Sequence, residues 1–207
     1  MLFHRQLPIL LVLTAASLGA QETKEPARIC LAPPTAQMAS GSATEAANAV
    51  KESFTAYLTG PSLTISPLVA RLPSQAREEA KLASCPYVLF AALKHERKQG
   101  SGMLGRMAGS AVEATAWELR GAVPSGAGRV AANAAANAAA AAARSVATNV
   151  KSKDEITLDY RLEAGDGTIV VKSAGKAKAD SDGQDLLTPL VEKAAESIAA
   201  AVLKAPR

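Results

Sequence analysis

The sequence predicts an α/β fold, a mixed β-sheet with helices packed on it, in the order β-α-β-α-β-(insert)-β-β-α. Three observations predict it. Tyr87 to Leu93 is apolar on successive residues, as a strand covered on both faces requires. Ile156, Leu158, Tyr160 and Leu162 alternate with Thr157, Asp159, Arg161 and Glu163, and Gly165-Asp166-Gly167 then turns the chain into Thr168 to Val171, the pattern of an antiparallel hairpin. Apolar residues at three- and four-residue steps mark two longer helices, one following Ser42 and one ending near Lys204.

Residues 1–20 come before the fold and read as an export signal. Arg5 gives a short basic start, Leu7 to Leu18 form an apolar run, and Leu18-Gly19-Ala20 offers a small-residue cleavage site before Gln21. The run falls short of the roughly 20 apolar residues that span a bilayer. The mature chain is therefore expected to begin near Gln21 and to be periplasmic or secreted.

The two cysteines, Cys30 and Cys85, survive removal of the signal, and a pair in an oxidising compartment is expected to form a disulfide. Cys30 lies in the first apolar strand and Cys85 immediately precedes the third, so a bridge needs those strand ends to be neighbours. Cys30 stands well beyond the cleavage point and follows no signal-like apolar run. No lipid anchor is expected there.

Ala27 to Ala32 is a short apolar strand closed by Pro33-Pro34, and a polar linker follows. Ser42 with Glu45 makes a capping box, and Ala43, Ala47, Val50, Phe54 and Leu58 form one helical face until Gly60-Pro61. Leu63 to Leu68 is a second strand, placed near an edge because Pro67 has no amide to donate to a ladder. A second helix runs from Ser74 to about Ser84, and the buried strand follows, turning polar and leaving the core after Lys94. The last helix starts at Leu186 or Pro189, with Thr188 and Pro189 as cap and first position, and presents Leu190, Ala194, Ile198 and Val202 on one face.

This order, with EEAKLASCPYVLFAAL placing an Ala-rich helix directly before a buried strand, resembles the family of the periplasmic TolB N-terminal domain and the curli secretion protein CsgG. The resemblance covers about Ala27 to Leu93 and Asp154 to Leu203 and rests on residue classes rather than on signature residues. It implies a protein of envelope assembly and binding, not of catalysis. Pro86 stands before Tyr87 where such domains often carry an acid, and the lipid anchor of CsgG has no counterpart here.

The predicted domain comprises residues 21–98 and 151–207 and is interrupted by a Gly- and Ala-rich insert, 99–150. Its length makes the insert either functional or disordered. Gly102, Gly105 and Gly109 are spaced for close helix approach, and Val130 to Ala143 is nearly all Ala, so a helical hairpin is expected. At about 100° per residue, Arg106, Glu113 and Arg120 share one face of the first helix; Arg129, Asn133, Asn137, Arg144 and Thr148 cluster on the second. The opposite face of each is small, flat and apolar. Three readings are open: packing on its own domain, self-association, or contact with a membrane. The Ala run also fits a low-complexity tether.

The search for chemistry is short. The net charge of +4 falls by one with Arg5, and the cations are scattered among acids, so no nucleic-acid patch appears. Aromatic residues make up 3% of the chain, too few for base-stacking platforms or for barrel girdles. His95 is the one histidine of the mature chain and sits in the charged run Lys94 to Arg97, which reads as solvated. Asp180 to Asp185 is similar to a calcium loop, yet Val191 stands where the bidentate Glu belongs, so a turn and helix cap is expected. Glu78-Glu79 and Asp154-Glu155 are adjacent pairs whose side chains diverge, and they read as surface. Gly102 to Gly109 lacks the Lys and the Ser or Thr of a phosphate loop. No catalytic residue, cofactor or metal is expected. The reading is an exported, non-enzymatic binding or assembly module of the cell envelope, with an envelope protein or a second copy as partner through the insert; the alternative is a membrane-active or pore-associated protein that uses residues 99–150.

Overall fold

Four parallel strands and one antiparallel hairpin form a single mixed sheet, in a computed structural model that describes residues 25–97, 137 and 140–204. In chain order the elements are β1 (Ala27–Leu31), β2 (Thr35–Gln37), α1 (Ala43–Leu58), β3 (Leu63–Pro67), α2 (Pro73–Leu82), β4 (Tyr87–Glu96), α3 (140–147), β5 (Glu155–Ala164), β6 (Ile169–Lys178) and α4 (Leu187–Lys204). The strands lie in the order β3-β1-β4-β5-β6, with β2 also paired to β4. The mixed sheet and its helices are those expected, and β3 is an edge strand ending at Pro67.

Strand β2 was not expected, since Thr35 to Gln37 reads as linker. It forms because β4 outruns its first neighbour: β1 pairs with β4 only over Tyr87 to Leu89, and β2 takes up the ladder from Ala92 to Lys94. Nor does β4 leave the core at Lys94. It stays paired with β5 through Glu96, so His95 falls on the core side with Leu89, Ala91 and Leu93.

Handedness explains where the helices go. The chain steps one way from β1 to β3 and back the other way from β3 across β1 to β4. Right-handed crossovers then put α1 and α2 on opposite faces. On the first face α1, α3 and α4 bury the main core, which includes Phe54, Leu89, Leu158, Leu162 and Ile198. Of the α1 face, Val50, Phe54 and Leu58 are buried as expected, but the helix is turned so that Ala46 and Ala49, not Ala43 and Ala47, sit inward. Leu190, Ala194, Ile198 and Val202 are all buried on α4. That helix comes so close to β6 that a Cβ on Gly175 would stand 2.9 Å from Leu190 Cδ2. Ala143, Val146 and Val150, inside the 99–150 segment, belong to this same core.

The helix ends are set by local donors and acceptors. Ser42 Oγ accepts the Glu45 amide, as the capping box predicts. Helix α2 begins at Pro73, with no side-chain cap from Ser74. Helix α4 begins at Leu187, and its cap is Asp185, whose Oδ1 accepts the amides of Leu187 and Thr188; Thr188 and Pro189 lie within the first turn instead.

Candidate functional site

The second face of the sheet is only partly covered. Helix α2 lays Ala76 and Ala80 on Val88, next to the disulfide between Cys30 and Cys85, with their Cα atoms 5.8 Å apart. The bridge is as expected and is buried with Ala32 and Leu68. Beyond Val88 the cover ends: Phe90 and Ala92 are half-buried, and Lys94 is exposed. The strand is thus closed on one face and open along most of the other, where the sequence predicted cover on both.

Around Phe90 the open face carries a group of charges. Val88 opposes Glu163 and Phe90 opposes Arg161 across β4 and β5, while Arg161 opposes Lys172 on β6. Glu163, 3% exposed, accepts from Arg77 Nε at 2.7 Å and Nη2 at 3.1 Å, and pairs with Arg161 at 2.9 Å. The Arg161 and Arg77 guanidinium carbons lie 4.6 Å and 5.9 Å from the Phe90 ring centre, within cation–π range. Two cations on one buried carboxylate leave a local positive excess. Next to them a groove of about 600 Å³ runs between Pro33, Arg71 and Pro73 on one side and Lys172 and Ala174 on the other, floored by Phe90 and Ala92, with Asp159 on its lining. Among the described residues neither Arg71 nor Lys172 is in an ion pair.

A second charged group lies at the root of the insert. Strands β4 and β5 are adjacent and antiparallel, so Arg97 and Asp154 meet where the chain departs and returns. Asp154, 1% exposed, accepts from the Lys151 amide at 2.9 Å and from Arg97 Nη2 at 3.3 Å, and its Oδ2 lies 2.8 Å from His95 Nε2. Burial pushes this carboxyl up, but the Lys151 amide, Arg97 and His95 outweigh it and hold Asp154 below the ordinary carboxylate range. An ionised Asp154 accepts, so His95 Nε2 carries the proton and the buried Nδ1 is left without a partner. Arg97 Nη2 also reaches Ser40 Oγ and the Asn149 carbonyl, and Gly41, at φ +85, sits where a Cβ would stand 2.6 Å from Asn149. The loop that bears Asp154 holds Lys153 at φ +73, a conformation that costs a non-glycine residue about 1–2 kcal/mol.

His95 and Asp154 therefore correct the sequence reading, which placed them on a solvated surface, and Glu163, in the polar phase of its strand, is buried as well. Glu79 also does more than face water: its carboxylate accepts the Val69 and Ala70 amides, while Glu78 pairs with Lys81. One signal pointed to His95 and Asp154, for each continues a two-residue alternation with core residues, Leu93 and Ile156. Glu163 has the polar phase of its strand, and only its cross-strand neighbour Val88 betrays its burial. A His–Asp contact resembles a base with its orienting acid, but here His95 is 3% exposed and packed between strands. Asp180 to Asp185 forms the expected turn and cap: Asp182 accepts the Ser152 amide and pairs with Lys151, and Gln184 accepts the Asp180 amide.

Of the insert residues singled out, Gly102, Gly105, Gly109, Arg129 and Asn133 lie outside the described residues. Asn137 is helical and exposed, as are Arg144 and, just past α3, Thr148, while Ala143 and Val146 face the core. Among the described residues no helix is long and apolar enough to cross a membrane.

No protein-family model and no curated protein matches this chain. Among solved structures it is similar to a single-substitution variant of the PelC dodecamer from Paraburkholderia phytofirmans, with 12% identity over 81% of this chain and 84% of that one and a TM-score of 0.42. A second PelC dodecamer structure from that organism matches at 12% identity over 88% and 90%, TM-score 0.41. A neuraminyllactose-binding hemagglutinin homolog from Helicobacter pylori matches at 11% over 95% and 91%, TM-score 0.35. Likeness at these TM-scores carries no argument about function.

Proposed function

We propose that this chain is an exported, non-enzymatic binding or assembly module of the cell envelope, of the kind its resemblance to the TolB N-terminal domain and CsgG implies. The observation that carries the reading is the buried Cys30–Cys85 disulfide, a bond that persists in oxidising compartments and rarely in a reducing cytosol. The signal-like residues 1–20 supply the route to such a compartment. Binding rather than turnover is supported by where the charged groups lie: His95 and Asp154 are sealed in the root of the insert, whereas the exposed cations border an open groove. The insert supplies a surface for an envelope protein or for a second copy.

Fractionation of a bacterial host expressing the full chain tests export. The expected product is a periplasmic chain that starts at Gln21 and is lighter by two hydrogens than its reduced form. A full-length cytosolic chain with two free thiols overturns the reading. Sedimentation with liposomes of the chain with and without residues 101–149 separates the rival: binding to liposomes that is lost with the segment makes the protein membrane-active.

A further inference from the structure

The groove on the open face sits where the topology divides. Strand β1 continues through β2 into α1 on one face of the sheet, and its neighbour β3 runs into α2 on the other. Here Pro33 follows β1 and Arg71 follows β3, and both line the groove. Its volume, about 600 Å³, is that of a site for a small organic molecule.

The lining says what kind of molecule. The floor of Phe90, Ala92 and Ala174 offers apolar surface. Three cations, Arg71, Arg161 and Lys172, converge on it, and Glu163 is already shared between Arg161 and Arg77. Asp159 is the one acid of the lining, against these three cations. We propose that this groove binds a small organic anion with an apolar body, its carboxylate, sulfonate or phosphate facing Arg71, Arg161 and Lys172 and its body lying over Phe90, Ala92 and Ala174. The inference rests on the chain being a binding module but not on its export, and it gives that module a ligand class.

The test titrates the purified full chain with 8-anilinonaphthalene-1-sulfonate, whose fluorescence rises out of water, and with its neutral analogue N-phenyl-1-naphthylamine. The sulfonate is expected to saturate one site and to bind about tenfold more tightly than the neutral compound. Arg71→Glu with Lys172→Glu is expected to weaken sulfonate binding by about tenfold or more, while Lys193→Glu, a single charge reversal at an exposed position of α4, leaves it unchanged. Amide shifts on binding should fall around Phe90 to Ala92, Asp159 to Arg161 and Lys172 to Ala174. If the double variant does not fold, Arg71→Gln with Lys172→Gln makes the same comparison with a smaller loss. Equal affinity for the two compounds, an equal loss in Lys193→Glu, or shifts confined to the helical face overturns the proposal. A cytosolic chain that still binds the sulfonate refutes export and leaves this inference standing.

Discussion

The two faces of the sheet are made by the same strands and end in opposite conditions. On the helical face, side chains of β4 and β5 at every second residue are buried, and α1, α3 and α4 leave no gap among the described residues large enough to expose them. On the other face one ten-residue helix and a disulfide close only the end near Val88, and the rest is held by arginines on Phe90 and Glu163. The difference teaches how stability and binding are divided here. Burial of apolar area contributes about 25 cal/mol per Å² on the closed face, whereas the open face relies on half-exposed arginines paired with one carboxylate, which contribute less. Side chains of the open face are therefore free to be chosen for contact with something else.

Substitutions ranked by effect test this division. Phe54→Ala, at a fully buried position of the closed face, is expected to cost about 3–5 kcal/mol in denaturant unfolding. A cost below about 1 kcal/mol would mean that the closed face is not the source of stability. Replacing both Cys30 and Cys85 by Ala should cost about 4 kcal/mol on the chain-entropy model, since the bridge spans a sequence separation of 55. A small loss there would show that α2 holds its face without the bridge.

Asp154→Ala leaves His95 Nε2 without its acceptor and Arg97 without its carboxylate, and should cost about 3 kcal/mol, read by thermal melting at neutral pH. The same carboxylate carries a pH signature. Its folded pKa lies below its unfolded one, so its contribution is present above the ordinary carboxylate pKa and is lost as pH falls below about 4, when the unfolded chain takes up the proton first. Asp154→Asn should lack that part of the acid slope, and an unchanged slope would place it on other groups. Arg77→Ala should cost about 1–2 kcal/mol, because Glu163 keeps Arg161. Lys172→Ala, on the open face, should stay within about 0.5 kcal/mol. A larger change would show that the open face is part of the core.

The β5–β6 hairpin, the α4 face and the Ser42 cap were all legible, because each is written in a local period or a local donor–acceptor pair. Strand β2 was not, since Thr35 to Gln37 has no periodicity and pairs only because β4 is longer than β1. The groove was not legible either: Pro33, Phe90, Arg161 and Lys172 lie in four separate stretches, each ordinary in its own context. Asp154 read as a surface acid, and nothing marked Glu163 as buried, because carboxylates are seldom buried unless paired and the partners His95, Arg97, Arg77 and Arg161 are brought to them by strand pairing and helix docking.

By itself the sequence determined the α/β class, the two cysteines that meet, the hairpin and the helices, since alternation, helical spacing and caps act over a few residues. Only the tertiary structure decided which face of the sheet stayed open, where the charges gathered on it, and that the insert is rooted on a buried His95–Asp154 contact. Those outcomes depend on crossover handedness and on strand register, which join residues far apart in the chain and leave no mark on the local pattern of either one.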